Sequence, residues 1–331
     1  MAKKLLLWFS VLMGIILLAA CTKSPESSAQ QQNEKTATSQ QVVRIGYQKS
    51  STLLTLLKQS GELDQQLAKQ GYKVSWHEFT SGLPLLEALN VGNIDVSADV
   101  ADTVPVFAQA ADAQITYYAK EAASPTAQAI LIPANSQIKT LADLKGKKIA
   151  VTKAAGSHYL LIEALNKAGL SLKDITPSWL TPADGRAAFE HGSVAAWVTW
   201  EPYVSSGQIQ QHAKILTTGE GLASYKRYYL ASSSFTEQHP EVIEQIIAAL
   251  KAKAEWVKNS PEDAAKILAP LWGNLPLDVV QQANAHRSYQ VEAVTAEDLL
   301  DQQKIADAFF KEGLLPKNID AKSSQIFHTQ P

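Results

Sequence analysis

From Val42 onward, short runs rich in β-branched and aromatic residues alternate with longer stretches of helical period. That alternation constrains the chain more than any other feature, because strands separated by amphipathic helices pack as an α/β sheet with helices on its faces. Val42 to Tyr47 (VVRIGY), the alternating Tyr72 to Phe79 (YKVSWHEF), Ile94 to Ala98, Ala127 to Ile132 and Lys148 to Thr152 read as strands. So do Ile175 to Leu180, Ala195 to Thr199, Ala213 to Leu216 and Tyr228 to Ser232. Helical patterns fall at Thr52 to Lys58, Gly61 to Gln70, Pro84 to Val91, Tyr159 to Ala168 and Ala183 to His191. Longer ones run from Glu237 to Lys258, Pro261 to Leu271 and Ala296 to Glu312. A folded region of ~290 residues exceeds what one hydrophobic core serves, which predicts two lobes.

Five of these strands end in short loops rich in Ser, Thr, Gly or Asp, each leading into a helix. The loops are Gln48 to Thr52, Thr80 to Leu83, Asp99 to Thr103, Ala154 to His158 and Trp200 to Tyr203. In any single loop, helix capping alone accounts for such residues. Five together point to a site, since ligands of open α/β sheets sit beyond the carboxyl ends of strands. Helix starts there offer free N–H groups and a favourable dipole to an anion.

The N-terminus bears on the compartment. Lys3 and Lys4 precede an apolar stretch, Leu5 to Leu18, that ends in Leu18-Ala19-Ala20-Cys21. This is the pattern of a secretory signal (residues 1–20), and the apolar run is shorter than the ~20 residues that span a bilayer. Placing the sole cysteine after Leu-Ala-Ala resembles the lipobox of bacterial lipoproteins. That resemblance implies cleavage before Cys21 and its lipidation, hence a lipoprotein held at the membrane, in the periplasm or at the cell surface. Residues 22–41 have almost no large apolar side chain and read as a flexible tether. The mature chain then has no thiol, and losing Lys3 and Lys4 moves the formal charge from −2 to −4. Such a balance carries no basic footprint for nucleic acid.

Further along, specific runs resemble the periplasmic aliphatic sulfonate-binding proteins, part of the sulfonate, nitrate and taurine ABC-transporter substrate-binding family. They are Arg44-Ile-Gly-Tyr-Gln-Lys49, Glu87-Ala-Leu-Asn-Val-Gly-Asn-Ile-Asp95, Asp102-Thr103-Val-Pro105, Ile138 to Lys147, Ala187 to Ser193 and Trp197-Val-Thr-Trp-Glu-Pro-Tyr203. The resemblance implies a type II periplasmic-binding-protein fold: two doubly wound α/β lobes with a ligand cleft between them, closing as a hinged clamp. Lobe one is then residues 42–125 with 222–331, and lobe two residues 126–221. Implied too are an alkanesulfonate or related small organic anion as ligand, an ABC permease with its ATPase as partner, and a monomer. The chain departs from the family pattern in Lys153-Ala-Ala-Gly-Ser-His-Tyr159, in the added carboxylate of Asp99, and in Glu201 where Asp is common. Extra carboxylates near an anion pocket admit a ligand that also carries an amine, such as taurine.

A sulfonate needs several donors at ~2.8–3.1 Å around its weakly basic oxygens. Gln48, Thr103, Ser157 and His158 supply amide, hydroxyl and imidazole donors at strand ends and helix starts. Trp200 offers a ring wall for an apolar tail. Asp102 and Glu201 flank the same loops, and one of Tyr228 and Tyr229 is expected to border the cleft. Two other readings stay open: a binding protein of this fold for nitrate, bicarbonate or a pyrimidine precursor, and an enzyme on the same scaffold. The mature chain has no His-Glu-x-x-His, Gly-x-Ser-x-Gly or Gly-x-x-x-x-Gly-Lys-Ser/Thr run, hence no motif for a metal, cofactor or catalytic serine.

Overall fold

The computed structural model describes residues 40–329. The signal segment, Cys21 and residues 22–39 of the tether lie outside them. The strands are β1 (Gln41–Gln48), β2 (Tyr72–Phe79), β3 (Val96–Ser97), β4 (Val100–Ala101), β5 (Ile115–Glu121), β6 (Gln128–Ile132) and β7 (Lys148–Val151). They continue with β8 (Thr176–Trp179), β9 (Ala196–Trp200), β10 (Lys214–Thr218), β11 (Arg227–Ser232), β12 (Val291–Glu292) and β13 (Gln325–Ile326). The helices are α1 (Leu53–Ser60), α2 (Glu62–Ala68), α3 (Gly82–Asn90), α4 (Val104–Ala110), α5 (Gly156–Lys167) and α6 (Pro182–Glu190). They are followed by α7 (Tyr203–Gln211), α8 (Ser233–Gln238), α9 (Pro240–Asn259), α10 (Pro261–Leu271), α11 (Leu277–Ala285) and α12 (Ala296–Lys311).

Two sheets form. The first has eight strands in the order β12-β5-β11-β3-β1-β2, with β13 beside β5 and β4 beside β11. The second has five in the order β10-β6-β9-β7-β8. Each keeps a parallel core next to a reversed strand: β1 pairs parallel with β2 and β3, while β11 runs antiparallel to β3. In the second sheet β7 pairs parallel with β8 and β9, and β6 runs antiparallel to β9.

Helices cover both faces of each sheet, so alternate side chains of one strand enter different cores. On β11, Tyr229 and Ala231 pack with Val43, Ile45 and the α9 residues Ile243 and Ile246. Tyr228 and Leu230 pack on the other face with Tyr117, Leu85 and Leu299. On β6, Ile130 and Ile132 join Leu161 and Leu165 of α5, whereas Ala129 and Leu131 join Phe189 and Trp197.

The chain passes between the sheets twice, through residues 122–127 and 219–226. These passages lie side by side: Ser124 N donates to Ser224 O at 3.1 Å and Gly219 N to Pro125 O at 2.9 Å. Some local features differ from the sequence reading. The helix expected from Glu237 is broken, because Pro240 lacks an N–H and opens a new helix instead of continuing one. Strand β5 and helix α11 fall where no element was read.

Candidate ligand-binding site

The carboxyl ends of β1, β2, β4, β7 and β9 meet between the two lobes. The cavity there is lined by Gln48, by Ser81, Gly82 and Leu83, by Ala101 and Val104, by Lys153 to Gly156, and by Trp200, Tyr225 and Arg227. Each of the five loops singled out in the sequence contributes to this lining. Two of the lining groups are cations, and none is a carboxylate.

Close backbone approach shapes the wall. Ala154 adopts a left-handed conformation (φ 62°), uncommon for a residue with a side chain. Gly156 opens α5 directly against Tyr225. A Cβ at Gly156 would stand 2.5 Å from Tyr225 Cε2, so only glycine lets the helix start and the ring sit this close.

The residues expected at the site divide into three groups. Gln48 and Trp200 border the cavity. Gln48 Nε2 already donates to Asp99 O at 2.7 Å, leaving one amide hydrogen uncommitted. Trp200 is the last residue of β9 rather than the first after it, and its Nε1 donates to Ser50 Oγ across the lobes at 3.3 Å.

Thr103 and Glu201 also work across the lobes. Thr103 Oγ1 donates to Ala154 O at 2.7 Å. The fully buried Glu201 carboxylate accepts from Ser205 N at 3.1 Å and from Ser205 Oγ at 2.9 Å, at the start of α7. Its Oε1 also lies 2.5 Å from His286 Nδ1. Beside it, Arg287 donates to Glu201 O at 2.9 Å, to Ser50 O at 3.1 Å and to Thr52 Oγ1 at 2.6 Å. The hydrogen bond to Glu201 raises the pKa of His286, against the opposing pull of its partial burial.

Asp102, Ser157 and His158 are buried but stand outside the lining. Asp102 Oδ2 accepts the Lys226 backbone N–H at 3.1 Å, and burial pushes its pKa up to about 7 despite that bond. Because α5 begins at Gly156, its phase turns Ser157 and His158 away from the cavity. The His158 ring packs against Trp179 (centroids 4.7 Å) and Phe309 (5.0 Å), and its Nδ1 accepts from Ala154 N at 3.2 Å. Burial, with a smaller push from Lys153, brings its pKa down to about 3, so it is a neutral packing residue.

Neither Tyr228 nor Tyr229 borders the cavity. Alternation along β11 sends them into opposite cores, where Tyr228 meets Tyr117 edge-on and Tyr229 donates to Glu121 Oε1 at 2.5 Å. The same strand instead delivers Arg227, and the residues before it deliver Tyr225. Arg227 is 3% exposed and its Nη2 is paired with Asp99 Oδ2. Sequence reading missed it, although a basic residue at the start of a strand returning to the first sheet was the available signal. Among the described residues, no His, Cys, Asp and Glu side chains gather as a metal site, and no helix is long and apolar enough to cross a membrane.

Comparison with known proteins agrees with this architecture. Residues 67–264 match the family described as NMT1/THI5 like. The chain is 40% identical to the putative aliphatic sulfonates-binding protein of Escherichia coli over 86% of its own length and 88% of that protein's. It is 32% identical to the Bacillus subtilis protein of the same name, over 93% and 90%. The alkanesulfonate-binding protein SsuA from Xanthomonas axonopodis pv. citri, solved bound to MOPS, superposes with a TM-score of 0.81. That match has 38% identity and covers 86% of this chain and 98% of that one. The chain therefore belongs to the NMT1/THI5-like family, alongside the aliphatic sulfonate-binding proteins.

Proposed function

We propose that this chain is a lipid-anchored, extracytoplasmic solute-binding protein that captures an aliphatic sulfonate and hands it to an ABC permease driven by its ATPase. One observation carries the reading: loops from both lobes converge on a concavity with two lining cations, an amide, a tryptophan and no carboxylate. A sulfonate head is a permanent anion that gains from such donors, and Trp200 shields its tail from water. Lobe one is residues 42–125 with 222–331, and lobe two is residues 126–221. Ligand bridging them holds the clamp shut through its higher affinity for the closed arrangement. In this reading Gln48 and Trp200 touch the ligand, while Thr103 and Glu201 join the lobes. Cys21 carries the lipid, and the leader before it directs export.

A thermal-shift screen of the protein, freed of carried-over ligand by unfolding and refolding, tests the substrate. The panel is ethanesulfonate, longer alkyl and aryl sulfonates, taurine, nitrate, sulfate, bicarbonate and a pyrimidine. A ligand at a hundred times its Kd stabilises by about 2.7 kcal/mol. The reading expects that shift from organic sulfonates. A shift from nitrate, bicarbonate or the pyrimidine alone discards the substrate and keeps the fold. Fatty-acid labelling that survives Cys21→Ser discards the anchor.

A further inference from the structure

Past the Trp200 wall lies a second hollow of about 40 Å³, set where the two lobes meet. Lys49, Ser50 and Trp272 line it from the first lobe, and Arg186, Tyr203 and Ser206 from the second. Trp200 is the partition: it borders the ligand cavity, donates to Ser50 Oγ and meets the Tyr203 ring edge-on at 6.1 Å. The lining of the hollow holds two cations and no carboxylate. Lys49 is exposed and makes no hydrogen bond or ion pair. Its Nζ lies 3.7 Å from where a Cβ on Gly273 would stand, beside Trp272. Arg186 donates from Nε to Glu190 Oε1 at 2.7 Å and from Nη2 to Gln210 Oε1 at 3.3 Å, leaving Nη1 uncommitted. Trp272 is 6% exposed, yet its buried Nε1 has no hydrogen-bond partner, which is uncommon for an indole. Arg287 stands over the same ring at 5.8 Å, a third cation close by. Burial raises the pKa of the Tyr203 phenol against a smaller opposing pull from Arg186, so this group too keeps a proton to donate.

Lys49 and Arg186 belong to facing lobes. Closing the clamp therefore brings two like charges to one hollow, with no carboxylate in its lining to stand between them. An anion placed there turns the repulsion into a bridge. We propose that this hollow is an effector site for a small tetrahedral oxyanion, sulfate or phosphate, which joins Lys49 to Arg186 and holds the clamp shut on its ligand. The two cations supply charge-assisted donors, and the Trp272 indole supplies a neutral one. Occupancy of this site does not depend on what the main cavity captures, whereas its coupling to that ligand rests on the sulfonate-capture reading. By linkage, the oxyanion tightens ligand binding by the same factor as ligand tightens the oxyanion.

The test measures the Kd of ethanesulfonate by calorimetry on the full chain, with sodium sulfate exchanged against sodium chloride at fixed ionic strength so that screening stays constant. Sulfate is expected to tighten ethanesulfonate binding about fivefold or more. In the double variant Lys49→Gln/Arg186→Gln that response should vanish, while the Kd in chloride alone stays within about twofold of wild type. Equal melting of the two proteins in chloride checks that the variant folds. Phosphate repeats the series, and the oxyanion that acts at the lower concentration is the one the site prefers. An unchanged wild-type Kd overturns the proposal. So does a weakened one, which would put sulfate in the ligand cavity as a competitor. An equal response in the double variant overturns it too, by placing the anion elsewhere. Should ethanesulfonate not bind at all, the capture reading falls and melting decides the site by itself. Sulfate stabilises folded proteins generally by exclusion from their surface, so only a larger shift in wild type than in the double variant upholds the site, and equal shifts overturn it.

Discussion

The two lobes touch along two seams, and the seams are made of different materials. On one flank α5 meets α4 and α12 through apolar side chains: Ile162 sits in one cluster with Val106, Ile305, Ala306 and Phe309, with Tyr159 packed against it. The His158 ring belongs to this seam by its contact with Phe309. On the other flank the contacts are polar. Glu201 meets His286, Arg287 reaches Glu201 O, and Gln282 Nε2 donates to Gln208 Oε1 at 2.8 Å. Apolar contacts are non-directional and lose energy with the area uncovered, so such a surface tolerates small rolling movements. Hydrogen bonds and ion pairs are directional, and water replaces them when they part. The apolar flank thus suits a bearing and the polar flank a latch.

The sharpest way to break this contrast is Phe309→Ala. Emptying the centre of the apolar seam should cost about 3–5 kcal/mol of unfolding free energy, read from denaturant titration. A loss below about 1 kcal/mol would show that the seam contributes little to stability.

Stability against pH separates the seams next. His158 in the apolar seam holds its proton only below about pH 3 when folded, against about 6.5 when unfolded. Below 6.5 this side chain gains a proton in the unfolded chain that it refuses in the folded one, so its contribution to stability falls as pH drops, by about 2 kcal/mol at pH 5. His286 acts with the opposite sign. Its folded pKa is raised, so its contribution is complete below 6.5 and is lost as pH climbs through the raised value. Asp102, pushed up to about 7 from an ordinary 3.8, keeps its proton in the folded chain and loses stability as pH rises from about 4 to about 7, opposing the His158 effect over that range and adding nothing above it. Melting temperature should therefore change little between about pH 4.5 and 6.5, where His158 and Asp102 offset one another, and decline above that range as His286 loses its proton. His158→Leu should leave the Asp102 effect unopposed, so that melting temperature climbs on acidification from about pH 7 to about 5, and His286→Gln should make only the alkaline limb shallower.

The smallest expected effect is that of Glu201→Gln, which keeps the shape of the latch and weakens its charge. Ligand dissociation followed by stopped flow should quicken about three- to tenfold, with little change in melting temperature. An unchanged rate would mean that the polar flank does not hold the closed state.

How much of this was readable beforehand depends on how local each cause is. Strand β2 and helix α10 stand where the sequence placed them, since alternation and a Pro start are local signals. The five site loops were legible for the same reason, each being a strand end beside a helix start. Strand β5 was not: its residues are buried on both faces, leaving no alternation to read. His158 and Ser157 looked like ligand donors because the sequence does not fix the phase of α5 about its axis. Arg227 showed in the sequence only as a basic residue at a strand start, because its partner Asp99 is brought to it only when β11 inserts beside β3 and β4.

That insertion also sets an order of events. In the first sheet β11 lies between β3 and β5, yet the whole second sheet separates it from them in the chain. Until the chain has emerged as far as Ser232, β3 and β5 have no strand to join them, and the first lobe is two fragments with open edges. The strands of the second lobe run without interruption from Gln128 to Thr218, so that lobe can assemble while the first is still waiting. The domain that begins first is the one that finishes last.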